Sequence, residues 1–320
     1  MLPTGAGWNH AEYPPGQLLL FSAFFFVPAL SPVFFGWTNG LLAVPVFYLL
    51  FTNGFKSGFA RLRVSLLIAG LGALLIGRLE VFLFSLTLIP LGYTLFRSAN
   101  AGESAATSGG KGVVVLALTW ILFWAVYGAA TGISPYRQLL DSLDQGFRQT
   151  VELYESREAE VPGETLHQVQ QLTDDIREII PRILPGVLAS IVVVTVWINL
   201  AFSNIMAHRL GDVPPPWGKY STWKLPDQLL WVAIIAGAVM LLGRGLLQFA
   251  GSWVLMLAGL LYFFQGLAVC IALMERWKVP VYVRILLYFI LVIQTYGILL
   301  LAFVGVADVW FNFRRPREEP

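Results

Sequence analysis

Long apolar runs separated by short polar segments make up most of the chain, and the run at 253–274 is the clearest of them. It reads WVLMLAGLLYFFQGLAVCIALM, in which Gln265 is the only strongly polar side chain. At about 1.5 Å per residue, a helix of this length crosses the roughly 30 Å hydrocarbon core of a bilayer. The run therefore predicts a transmembrane helix.

Small residues recur along one face of this predicted helix, where a neighbouring backbone can approach closely. The residues that fall close to this line are Gly251, Ala258, Gly259, Tyr262 and Gly266. Gln265 projects beside the line, and its amide carries two donors and an acceptor. Because bare amide groups are costly in hydrocarbon, we expect Gln265 to have a partner on another helix or to border a polar cavity.

Eight other apolar runs accompany this one, and they predict an all-α, polytopic bundle of eight or nine transmembrane helices. They lie at 17–33, 41–52, 64–76, 81–96, 113–131, 183–205, 229–242 and 284–309. The count depends on Arg78 and Glu80, which divide 64–76 from 81–96. These two residues occupy either a tight turn at the membrane interface or a functional charge site within the membrane.

Between the fifth and sixth runs the pattern becomes amphipathic. Ser134 and Pro135 supply an N-cap and a first-turn proline, and apolar residues then recur every three or four positions on both sides of a break at Pro162. This spacing predicts a helical hairpin outside the membrane at 134–182, between N-terminal membrane helices at 1–133 and C-terminal membrane helices at 183–320.

The predicted hairpin is acidic. Residues 137–178 contain ten carboxylates and four arginines, a net charge of −6. One interpretation is a docking surface for a protein partner or a cap over the membrane helices, and the other is a solvated helix pair packed on itself. We define the segment 134–182 as the acidic hairpin.

Composition supports a multi-pass membrane protein. Only 12% of the residues are charged, where a soluble domain would carry about 25%, and the mean hydropathy is +0.70. The basic excess at the ends of the runs is ordinary for membrane topology, so the predicted partner is the lipid bilayer and nucleic acid is excluded. The single cysteine, Cys270, cannot form an intrachain disulfide.

Catalytic signatures are absent from the sequence. It contains no phosphate-binding loop, no zinc-protease motif and no serine-hydrolase elbow, and its three histidines are far apart. We therefore predict a protein that is not an enzyme and has neither a metal nor a cofactor. An intramembrane enzyme is the remaining catalytic alternative, and it would use Arg78, Glu80, Arg244, Gln265 and Asp308.

Polar residues on the predicted spans define a candidate polar membrane site. Its members are Gln265, Tyr262, Asn199, Thr195, Arg244 and Asp308. Thr195 and Asn199 belong to a stripe with a spacing of four residues, which interhelical hydrogen bonding also explains. The aromatic and basic residues at 217–224 suit either a lipid headgroup interface or, less directly, a ligand site.

Two functions fit this pattern. The first is binding or transport of a small molecule, which requires a polar pocket around Gln265. The second is a non-catalytic membrane scaffold or assembly protein that docks partners through the acidic hairpin, which requires a filled bundle.

Three segments resemble the YybS-like family of uncharacterised bacterial membrane proteins: YFFQGLAV at 262–269, WKLP at 223–226 and DVWFNFR at 308–314. The resemblance implies a polytopic membrane fold in the bacterial cytoplasmic (inner) membrane and assigns no activity. It also implies a likeness of the N-terminal half to the substrate-binding components of energy-coupling vitamin transporters. Those components present an Ala-x-x-x-Ala face to a partner, whereas Ala23 and Ala29 are six residues apart.

Overall fold

Helices account for nearly all of the computed structural model, which describes residues 15–156, 163–210 and 214–314. Within these ranges there is no β-strand. The α-helices are α1 Pro15–Leu30, α2 Pro32–Phe35, α3 Ala43–Leu75, α4 Leu79–Ser85, α5 Ile89–Asn100, α6 Ala105–Thr131, α7 Pro135–Glu155, α8 Gly163–Leu210, α9 Gln228–Leu242, α10 Leu246–Arg276, α11 Val281–Ile293 and α12 Thr295–Phe311. Short 3-10 helices occupy Gly36–Leu41, Leu86–Leu88 and Tyr220–Thr222.

Five stretches of the described chain are long and apolar enough to cross a bilayer, and two bent helix pairs raise the count to seven at most. The five are Ala43–Leu75, Leu79–Asn100, Ala105–Thr131, His167–Arg209 and Leu246–Arg276. The all-helical membrane class is therefore confirmed. The count of seven at most is lower than the eight or nine predicted, because the second and third runs join in α3 and the run at 229–242 forms α9, a 15-residue helix that is shorter than a span.

α3 joins the second and third apolar runs, 41–52 and 64–76, which were predicted as separate helices. The segment between 52 and 64 was expected to separate two membrane helices, but its basic residues continue the helix after a break at Gly54, whose φ of 73° favours glycine. Asn53 Nδ2 donates to Leu49 O (3.0 Å), and Arg61 Nη1 donates to Asn53 Oδ1 (2.6 Å). Hydrogen bonds within the protein thus satisfy polar groups beside the break.

The first of two compact units comprises the described residues of Met1–Glu103 and Thr195–Pro216. α3 packs closely on α5 at Gly92, where an added Cβ would lie 2.6 Å from Val46 Cβ. Aromatic side chains such as Phe25 and Phe47 fill its core. Arg78 and Glu80 are both exposed at the turn that begins α4, as the turn interpretation requires.

The second unit comprises the described residues of Ser104–Val194 and Trp217–Pro320. α10 contacts α9, α12 and the 3-10 helix Tyr220–Thr222. α9 approaches α10 at Gly251, where a Cβ would lie 2.6 Å from Met240 N. α10 is therefore the element around which this unit packs.

α8 remains helical through Pro181 and Pro185. A proline at 185 cannot donate to the carbonyl of Pro181. Tyr136 Oη donates to that carbonyl instead (3.2 Å), and Trp253 Nε1 donates to Arg182 O (2.7 Å). Side chains from α7 and α10 thus reach carbonyls beside the two prolines.

Candidate functional site

α10 and α12 cross in close contact at two glycines. A Cβ on Gly266 would overlap the carbonyl oxygen of Leu301, and a Cβ on Gly305 would overlap that of Tyr262. Only glycine allows two backbones to approach this closely. The crossing brings polar side chains of the two helices within hydrogen-bonding distance.

The small-residue line predicted on α10 faces protein over most of its length. Gly251, Ala258, Tyr262 and Gly266 are all buried. Gly259 is the exception, because an added Cβ there would meet no atom within 4 Å. The prediction is therefore confirmed at four positions and wrong at Gly259.

Gln265 is 3% exposed and binds three groups of the protein. Its Nε2 donates to Gly305 O (3.2 Å) and to Asp308 Oδ2 (3.1 Å), both on α12. Its Oε1 accepts from the backbone N–H of Leu225 (3.1 Å). Both amide donors and the acceptor are thus used within the protein, which confirms the expected helix partner.

Asp308 is fully buried and forms an ion pair with Arg314. Arg314 Nη2 lies 2.6 Å from Asp308 Oδ2, and the side chain of Arg314 is 13% exposed. Asn312 ends α12 in the left-handed conformation (φ 48°), which suits asparagine. Because this pair is buried, the loss of either partner is far more costly than the loss of an exposed ion pair.

Arg314 also contacts the segment 217–225, which we call the clamp loop. Its Nη1 donates to the carbonyls of Ser221 (3.2 Å) and Trp223 (2.6 Å). Together with the Leu225–Gln265 bond, these contacts connect the clamp loop to both α10 and α12. We call Gln265, Asp308, Arg314 and their clamp-loop partners the polar network.

Further hydrogen bonds hold the clamp loop along α10 and α6. Tyr220 Oη donates to Phe264 O (2.7 Å), and Ser221 Oγ donates to Glu275 Oε2 (3.0 Å). Trp217, which is 7% exposed, donates from Nε1 to Ser108 Oγ on α6 (2.9 Å). Trp217 and Tyr220 therefore bind protein groups, although the sequence placed them with the lipid-facing residues.

One buried side-chain oxygen atom on each of α10 and α12 has no hydrogen-bond partner among the described residues. They are Asp308 Oδ1 and Tyr262 Oη, and the two residues are 0% and 1% exposed. A buried polar atom without a partner costs free energy, so each is a place where a water or polar ligand would be stabilised.

The other predicted site residues lie elsewhere. Asn199 and Thr195 belong to the first unit, where Asn199 Nδ2 donates to the carbonyls of Gly40 and Thr195. Arg244 is exposed in the turn between α9 and α10. The structure thus groups Gln265, Asp308 and Tyr262 at the α10–α12 crossing. It adds Arg314, which lies in the DVWFNFR segment but was not among the predicted site residues.

α7 contacts the first part of α8 through polar pairs at three levels. Arg177 Nε lies 2.9 Å from Asp144 Oδ1, and Gln170 Nε2 donates to Glu155 Oε1 (2.9 Å). The third contact is the hydrogen bond from Tyr136 Oη to Pro181 O. An open cleft of about 350 Å³ lies between them, lined by Arg148, Val151, Glu152, Gln170, Asp174 and Arg177. The connecting residues 157–162 lie outside the described ranges.

Metal chelation has no support in the described part of the chain, where no three His, Cys, Asp or Glu side chains are grouped to hold an ion.

A family model described as "Predicted membrane protein (DUF2232)" matches residues 18–309. No curated protein and no solved structure matches the chain. The matched range contains Gln265 and Asp308 and stops before Arg314.

Proposed function

Because the chain belongs to the DUF2232 family of predicted membrane proteins, we propose that it is a non-catalytic membrane scaffold that docks a protein partner on its acidic hairpin. The observation that carries this proposal is the buried, fully hydrogen-bonded amide of Gln265. A substrate site built around this residue would need its donors or its acceptor to be available. In this proposal the protein lies in the bacterial cytoplasmic membrane.

The polar network supports a structural role for the second unit. Its hydrogen bonds join the clamp loop, α10 and the end of α12, which are about 40 to 90 residues apart in the chain. Buried polar groups with good geometry favour one arrangement over others, because any alternative leaves them without partners. A fixed arrangement of this kind suits a protein that presents a surface to others.

The acidic hairpin supports the docking role through its charge. Asp141, Glu152 and Asp175 are exposed, and none of them forms an ion pair within the described part of the chain. Unpaired carboxylates attract a basic surface over about 8 Å at physiological ionic strength. The partner is therefore expected to be basic and its binding to weaken with salt.

Neutralising the three exposed carboxylates is expected to reduce partner binding several-fold at low salt and to have little effect at high salt. The variant is Asp141→Asn/Glu152→Gln/Asp175→Asn, measured by chemical cross-linking and recovery from bacterial membranes. The matched control replaces three exposed glutamines of the same helices, Gln145, Gln149 and Gln171, with alanine. Equal recovery of the partner with the wild-type protein, the carboxylate variant and the glutamine control would contradict the docking role.

A second candidate is the binding of a small polar ligand, which the unpartnered Asp308 Oδ1 and Tyr262 Oη favour. Asp308 belongs to α12 and Tyr262 to α10, both are buried, and a ligand carrying a hydrogen-bond donor would satisfy either oxygen. Under this function the polar network would form one wall of the ligand site.

Tyr262→Phe separates the two candidates. If the hydroxyl has no partner, its removal is expected to leave the free energy of unfolding in detergent unchanged or to raise it by about 1 kcal/mol. Tyr220→Phe is the control, because that hydroxyl donates to Phe264 O and its loss is expected to cost about 1 kcal/mol. Destabilisation of Tyr262→Phe as large as that of Tyr220→Phe would favour a bound polar ligand.

A further inference from the structure

Basic residues from two parts of the second unit meet where the clamp loop contacts the end of α10. Ser221 Oγ donates to Glu275 Oε2 (3.0 Å), and this bond brings Lys219, two residues before Ser221, close to Arg276 and Lys278. Arg284 follows in α11, and its Nε donates to Val279 O (2.6 Å). We call Lys219, Arg276, Lys278 and Arg284 the basic end.

Nearby carboxylates offset only part of the charge of the basic end. Lys219, Arg276 and Lys278 are exposed and have no ion pair among the described residues. Two of the surrounding carboxylates pair with cations outside the basic end: Asp227 binds Lys224 (2.9 Å) and Asp308 binds Arg314 (2.6 Å). Glu275 accepts from the neutral hydroxyl of Ser221, so its charge offsets only one of the four cations. The region therefore keeps an excess of positive charge.

Exposed aromatic side chains adjoin these cations. Trp277 lies between Arg276 and Lys278 in the chain and is 68% exposed, and Tyr282 is 86% exposed. Tryptophan and tyrosine beside lysine and arginine are typical of the boundary between lipid headgroups and hydrocarbon. A free polyanion would interact with the cations but would leave this apolar surface in water.

Lys278 occupies a backbone conformation that favours glycine. Its φ is 51°, and the N–H groups of Lys278 and Val279 bond back to Glu275 O (3.2 Å) and Met274 O (3.1 Å) to end α10. Glycine is the usual residue at this position of a helix end. A lysine here therefore has no conformational advantage, and Lys278→Gly is expected to preserve the fold.

We propose that the basic end binds the phosphodiester headgroup of an anionic phospholipid. The cations supply the attraction to the phosphate, and the exposed aromatic residues reach into the hydrocarbon beside it. This site is separate from the docking role of the acidic hairpin and does not depend on it. It also places the clamp loop and the end of α10 at the anionic leaflet of the membrane.

The test is thermal unfolding of the full chain in a neutral detergent with added phosphatidylglycerol, phosphatidylcholine or inorganic phosphate. Phosphatidylglycerol is expected to raise the melting temperature more than the other two. Each basic residue near an anionic lipid surface contributes about a factor of five in affinity, so Lys219→Gln/Arg276→Gln/Lys278→Gly should weaken the apparent affinity about 100-fold.

The control variant removes the same charge elsewhere, by Arg78→Gln/Arg137→Gln/Arg244→Gln at three exposed positions. It is expected to retain the response to phosphatidylglycerol. If the triple variant of the basic end does not fold, the three single variants replace it, each with an expected loss of about five-fold. Equal stabilisation by phosphatidylcholine or phosphate, equal loss in the control, or no loss in the basic-end variants would overturn the proposal.

Discussion

Asp308→Ala is expected to lower the free energy of unfolding by about 3–5 kcal/mol, because it leaves the cation of Arg314 buried without its partner. Asp308 is fully buried, and its Oδ2 accepts from both Arg314 and Gln265. Both donors would lose a charged acceptor at once. Unfolding by denaturant in mixed micelles measures the change.

A second ion pair of the same unit provides the control. Asp227 binds Lys224 at 2.9 Å, but its side chain is 64% exposed, so Asp227→Ala is expected to cost about 0–1 kcal/mol. Replacing both buried partners, by Asp308→Leu/Arg314→Met, is expected to recover much of the loss, since no unpaired charge then remains. Similar costs for Asp308→Ala and Asp227→Ala would contradict the burial of the network.

Gly266→Val is expected to separate α10 from α12 and to cost about 3 kcal/mol or more. The reason is that even a Cβ at this position would overlap the carbonyl oxygen of Leu301, a backbone atom that cannot rotate away. The hydrogen bonds of Gln265 depend on the same crossing and would lengthen with it. Unfolding measurements would detect the loss of stability, and cross-linking between the helices would detect their separation.

Gly259 lies on the same helix and supplies the matched control, because a Cβ added there would meet no atom within 4 Å. Gly259→Val is expected to be neutral or to stabilise by up to about 0.5 kcal/mol, because valine is slightly more favourable than glycine inside a helix. Equal destabilisation by both substitutions would mean that the effect arises from adding a side chain anywhere on α10, and not from the close crossing at Gly266.

Local sequence signals predicted the polar network only in part. The isolated amide of Gln265 in an apolar run implied a partner, and the structure supplies three groups of the protein. Arg314 was not among the predicted site residues, because a basic residue after a membrane helix is ordinary topology signal. Its role depends on the turn at Asn312, which returns the side chain to Asp308.

Loops and helix breaks were the weakest predictions. Charges between the second and third apolar runs suggested a loop, yet α3 continues past Gly54 with Arg61 hydrogen-bonded to Asn53. The clamp loop likewise resembled a lipid-facing anchor, although Trp217 and Tyr220 bind protein groups. Composition indicates that a residue suits an interface but does not indicate whether lipid or protein forms the other side.

The amino-acid sequence by itself determined the membrane class, the helical character and the need of Gln265 for a partner, because hydrophobicity and hydrogen-bonding capacity are properties of local residues. Only the tertiary structure decided that the partners are Leu225, Gly305 and Asp308, about 40 residues away in either direction. The periodicity of one helix shows that a face is buried but not which element covers it. That choice depends on close backbone approach at Gly266 and Gly305, which forms only when distant segments pack together.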